Sequence, residues 1–117
     1  MITQIKSPHP TTLVYELDYY LTDYEIDIID KGIEETLKNY DQVNLMLDVQ
    51  IKGESFSALV KEFKLGLKYW NKINKIAYIC DKGLLKPLVV VDDLFTKFKE
   101  RCFSTKETAK AWKWINE

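Results

Sequence analysis

The sequence predicts a small α/β domain of order β-β-α-β-α-β-α-β-α, a mostly parallel sheet with an antiparallel edge strand, covered by helices. Three observations predict it. Strand-length apolar runs alternate with amphipathic stretches at helical spacing, and that alternation implies right-handed crossovers and a parallel sheet. Two capping boxes, Thr22-Asp23-Tyr24-Glu25 and Ser104-Thr105-Lys106-Glu107, mark helix starts. The length of 117 residues, with 46% hydrophobic and 30% charged, suits one soluble domain spanning 1–117.

The elements follow in order. Ile2–Lys6 reads as an edge strand, and Ser7-Pro8-His9-Pro10 as a turn, because two prolines fix φ and remove two donors. Thr11–Leu21 alternates with period two, which makes an antiparallel hairpin with the first strand. The first capping box opens a helix to about Asn39, with Tyr24, Ile28, Ile29, Ile33, Leu37 and Tyr40 as its expected buried stripe. Asp23, Glu25, Asp27 and Asp30 load its first turns with the charge that the helix dipole favours.

Val43–Val49 is short and mostly apolar, as a central strand should be, and Gln50–Ser55 is the loop after it. A second amphipathic helix is expected over about Ser55–Lys72. Its mid-helix Gly66 costs about 1 kcal/mol relative to Ala, which a close approach to the sheet or another helix would compensate. Lys75–Cys80 reads as a buried strand, Leu84–Thr96 as a helix with Pro87 in its first turn, and Lys97–Phe103 as the last strand. The second capping box begins a closing helix with Thr108, Trp112 and Ile115 facing inward.

Composition and motifs restrict the chemistry. Residues 1–50 hold three lysines against ten acids, and residues 51–117 hold fourteen basic residues against eight acids; net charges of −7 and +6 suit opposed acidic and basic faces, complementary helices or head-to-tail association. An overall charge of −1 lacks the basic excess of a nucleic-acid binder, and no nucleic-acid partner is expected. No apolar run approaches the ~20 residues of a membrane-spanning helix, and patterned sequence begins at Ile2, so neither an integral membrane segment nor a secretory leader is expected. Cys80 and Cys102 form no CxxC pair, and a reduced cytoplasmic setting follows as the default.

No P-loop, GxGxxG, GxSxG or HExxH motif is present. His9 has no second histidine to share a metal and reads as an exposed turn residue. Asp92-Asp93 reads as a solubilising pair at a turn. The cysteines read as buried inert thiols, although neighbouring strands would bring them close enough for redox chemistry. No catalytic residue, metal ligand or cofactor is therefore expected.

Two surface features suggest partners. Lys61, Lys64, Lys68 and Lys72 form a basic stripe along the second helix. It is a solvated face, a face paired with the acidic first helix, or a docking face for an anionic membrane or acidic partner. Trp112 and Trp114 are two residues apart and so point about 200° apart on a helix. With Trp112 placed inward, Trp114 becomes the candidate residue of a homodimer interface.

Several segments also resemble the SpoIIAA-like branch of the STAS superfamily, which is grouped with CRAL-TRIO-type lipid-binding domains. Phe63-Lys64-Leu65-Gly66-Leu67-Lys68-Tyr69-Trp70 followed by Ile76-Ala77-Tyr78-Ile79 looks like that family's second helix and next strand. Leu21-Thr22-Asp23-Tyr24 looks like its entry into the first helix, and Thr108-Ala109-Lys110-Ala111-Trp112 like its closing helix. The resemblance implies the same α/β fold and a non-enzymatic interaction or regulatory role, with a dimer or a protein partner. In the anti-sigma-factor antagonists of that superfamily a serine at the start of the second helix is phosphorylated. Here the matching segment is Gly53-Glu54-Ser55-Phe56-Ser57, without the Asp-Ser-Ser-Gly context, and Ser55 also suits a helix N-cap. The lipid-binding relatives imply an alternative, a carrier or sensor of an apolar ligand.

Overall fold

A computed structural model describes residues 2–17, 22–49, 66–80 and 99–117. Their order is β1 (Ile2–Ile5), β2 (Thr12–Leu17), α1 (Asp23–Leu37), β3 (Val43–Val49), a 3-10 turn (Trp70–Lys72), β4 (Ile73–Ile79), β5 (Lys99–Phe103), a second 3-10 turn (Thr105–Glu107) and α2 (Thr108–Ile115). The expected helix over 84–96 and most of the one over 55–72 lie outside the described residues.

The sheet order is β1-β2-β3-β4-β5. β1 runs antiparallel to β2, with Ile2 opposite Leu17 and Ile5 opposite Val14. β2, β3, β4 and β5 are mutually parallel. This is the predicted mixed sheet with one antiparallel edge. The hairpin turn is held by the Thr12 amide donating to the His9 carbonyl at 3.2 Å and by the Ser7 hydroxyl donating to the same carbonyl at 2.9 Å. β4 carries an irregularity against β3, because Val43 faces Ile73 while Asn44 faces Lys75. Asn74 is the extra residue of this bulge, so Ile73 and Ile76 both reach the α1 face.

Helices cover both faces of the sheet. Under α1, Tyr15, Leu17, Leu45, Leu47, Ile76 and Tyr78 meet Ile26, Ile29 and Ile33. Each branched side chain so buried contributes about 1.5–3 kcal/mol relative to exposure. The stripe differs from the expected one: Tyr24 is 74% exposed and Tyr40 is 41% exposed, while Ile26 is buried. Positions 26, 29 and 33 follow one helical face, and Tyr24 lies off it. Two glycines bring neighbours close to this helix. A Cβ on Gly32 would collide with the Tyr15 hydroxyl, and one on Gly66 would come within 2.7 Å of Ile26 Cδ1. The close approach expected at Gly66 is therefore to α1.

On the opposite face α2 packs over Val14, Met46, Ala77, Ile79 and Phe103 through Ala111, Trp114 and Ile115. This corrects the inward set Thr108, Trp112 and Ile115. Thr108 is exposed, Trp112 is half-buried and Trp114 is buried. The capping box of Ser104 and Glu107 opens a 3-10 turn before α2 begins, and packing on Phe103 and Ala77 selects the face that carries Ala111, Trp114 and Ile115.

Candidate functional site

The four parallel strands end on one edge, at Leu17, Val49, Ile79 and Phe103. Open parallel sheets present their loops and ligands at this carboxyl edge. α1 starts beside it, because only four residues separate Leu17 from Thr22. The start is fixed by its capping box: Glu25 Oε1 accepts from the Thr22 hydroxyl at 2.9 Å and from the Thr22 amide at 3.4 Å. Tyr24 stands in that first turn with its ring in solvent. The candidate residues Gly53, Glu54, Ser55, Phe56 and Ser57 follow the end of β3 in sequence and lie outside the described residues, as do Lys61, Lys64, Asp92 and Asp93.

Lys68 and Lys72 are described, and both are exposed. Gly66 is helical, Lys68 and Tyr69 form a turn, and Trp70–Lys72 a 3-10 turn. The basic stripe therefore does not continue through Lys72 as a helical face. The glycine ends the regular helix, and the turn after it is tied to α1. The Lys68 amide donates to Asp30 Oδ1 at 3.0 Å, and the Tyr69 hydroxyl donates to Glu34 Oε2 at 2.9 Å. Burial pushes the Asp30 carboxyl above its ordinary pKa, opposed by the Lys68 amide and its charge. The hydrogen bond to Glu34 likewise raises the Tyr69 phenol. The acidic helix and the basic segment thus meet through a backbone donor and a phenol. Asp30 was detectable in the sequence as a polar break beside Ile29 and Ile33, but its partner, 38 residues away, was not.

Lys72 also lines an open cleft of about 630 Å³ at the opposite, amino edge, with Thr11, Tyr40, Asp41, Gln42, Asn44, Asn71 and Asn74. A second open cleft, of about 440 Å³, lies along the first hairpin between Gln4 and Leu13. Neither has the enclosed apolar lining that a lipid carrier requires. Among the described residues no three His, Cys, Asp or Glu side chains group to hold a metal, and no helix is long and apolar enough to cross a membrane.

The remaining sequence candidates fall on α2 and β5. Trp114, expected to face a second copy of the chain, instead packs on Phe103 with ring centroids 5.8 Å apart. The Lys75 ammonium lies 5.2 Å from the Trp114 ring centroid and donates to the Trp114 carbonyl at 2.7 Å, closing the C-terminal end of α2. His9, expected as an exposed turn residue, is exposed but engaged. Its ring lies 5.5 Å from that of Trp112, and Nε2 is 3.1 Å from Asn116 Nδ2, which donates to it. Cys80 and Cys102 are buried, as expected, and their strands are neighbours. The two Sγ atoms are 2.9 Å apart. On the same sheet face the buried Tyr78 hydroxyl donates to Glu100 Oε1 at 2.8 Å.

These features define a five-stranded α/β domain whose parallel strands present one common carboxyl edge. The chain belongs to the SpoIIAA-like family, whose sequence model matches residues 12–116. In structure it is similar to an uncharacterised protein with a SpoIIAA-like fold from Shewanella loihica PV-4. The TM-score is 0.62 at 20% identity, over 96% of this chain and 91% of that one. At that identity the likeness concerns the fold. No curated protein matches the sequence.

Proposed function

We propose that this domain is a non-enzymatic interaction module of regulatory type, whose partner face comprises the start of α1 at the carboxyl edge and the segment 53–57 that follows β3 in sequence. The observation that carries the reading is Tyr24. It is 74% exposed in the first turn of a helix that begins on the edge from which the chain leaves β3 towards Ser55. A large aromatic ring held in water on a rigid, capped helix end contributes nothing to the core, and such rings are the usual anchors of protein interfaces. Membership of the SpoIIAA-like family supports the same role. The apolar-ligand carrier is not favoured, since both described clefts are open to solvent and neither is predominantly apolar.

Photo-crosslinking in cell extract tests this. A photoreactive phenylalanine analogue replaces Tyr24, Ser55 or, as control, the exposed Lys113 of α2. The first two positions are expected to give one discrete protein adduct in common, and the third none. The same adducts from all three positions, or none from Tyr24 and Ser55, would remove the partner face.

A further inference from the structure

We propose that Cys80 and Cys102 form a reversible two-electron redox site that closes to an intrachain disulfide across the carboxyl ends of β4 and β5. Cys80 follows the last residue of β4, and its amide donates to the Phe103 carbonyl at 2.9 Å, so the ladder with β5 extends through it. Tyr78 faces Cys102 in the register, which puts residue 80 on the same face one pleat further along. Both side chains belong to the cluster under α1, and their sulfurs are already 2.9 Å apart. A disulfide bond of about 2.05 Å requires them to close by less than about 1 Å. Both residues lie where the strands end, and local opening of strand ends is the least demanding way to expose a buried thiol.

The oxidant is a small disulfide, RSSR. One cysteine thiolate attacks a sulfur of RSSR, forms a mixed disulfide and expels RS⁻. The second thiolate attacks the protein sulfur of that mixed disulfide and expels the other RS⁻. Two protein thiols and RSSR become one protein disulfide and two RSH. The protein loses two electrons and two protons, and RSSR gains both. The bond joins residues 80 and 102 and ties β5, with α2 behind it, covalently to β4.

The test is equilibration of the full chain in buffers of graded glutathione to glutathione disulfide ratio, with exchange quenched by acid and thiols then trapped in denaturant by an alkylating mass tag and read by intact mass. One arm is run in native buffer and one in urea. The native protein should lose two hydrogens, exclude both tags and yield a Cys80–Cys102 peptide. Its equilibrium constant should exceed that in urea by at least about tenfold, or about 30 mV. By the same thermodynamic cycle, the oxidised protein should melt higher than the reduced one. The Cys80→Ser and Cys102→Ser variants should each retain one taggable thiol under the same conditions. Equal constants in the two arms, a lower melting temperature on oxidation, or only intermolecular and mixed disulfides would overturn the proposal. The wild-type native and urea arms decide it even where a serine variant folds poorly.

Discussion

Among the described residues, side chains from β2, β3 and β4 meet three isoleucines of α1 on one face, whereas on the other an alanine, an indole and an isoleucine of α2 close over a shorter row ending at Phe103. The first face distributes its burial over many branched side chains. The second concentrates it in Trp114, which stacks on Phe103, lies beside the Lys75 ammonium and supplies the carbonyl that the ammonium binds. Distributed burial tolerates loss of a methyl group, but a face that depends on one large ring does not.

The largest effect should follow from Trp114→Ala, a loss of about 3–5 kcal/mol as expected for truncating a buried aromatic. Ile29→Val on the other face should lose about 0.5–1.5 kcal/mol. Urea denaturation of both variants measures the contrast, and equal losses would break it. Next is Gly32→Ala, whose methyl group meets the Tyr15 hydroxyl inside the first face and should cost about 1–3 kcal/mol. That hydroxyl has no hydrogen-bond partner among the described residues, and burial pushes its pKa up to about 12. Tyr15→Phe should therefore be nearly neutral alone and should recover most of the Gly32→Ala loss. A double-mutant cycle without that coupling would place the crowding elsewhere.

Two smaller effects separate the faces by pH. Asp30, on α1, has a raised folded pKa, so its ionised form is disfavoured by folding. That penalty is present above the folded pKa and is relieved as pH falls through it towards the unfolded value. Asp30→Asn keeps an oxygen for the Lys68 amide, so it should raise stability at neutral pH and leave it unchanged at low pH. Glu107, before α2, has a lowered folded pKa because the Ser104 amide donates to its carboxylate at 2.9 Å. Its contribution is present above the unfolded pKa and is lost as pH falls through the folded one. Glu107→Gln should make the acid limb of the stability profile shallower. Thermal melts from pH 3 to 7 read both signs.

Much of this was legible in local sequence. Val43–Val49 is the strand that its apolar run announced, and both capping boxes stand where their spacing put them. The antiparallel edge and the parallel direction of the later strands also followed, because a short hairpin and strand–helix alternation restrict how strands can be connected. The basic stripe was less legible, since helical spacing assumes a helix that here ends before Lys68.

Local pattern determined that Trp112 and Trp114 point apart, and tertiary packing decided that Trp114 is the inward one. The same division applies to α1, where periodicity located an apolar face but contact with Tyr15 and Leu17 chose Ile26 over Tyr24. Spacing along the chain fixes relative directions. Only the surface that a helix lies on fixes which direction is buried. Cys80 and Cys102, 22 residues apart in sequence, became neighbours through the pairing of β4 with β5, a contact that no local signal carries.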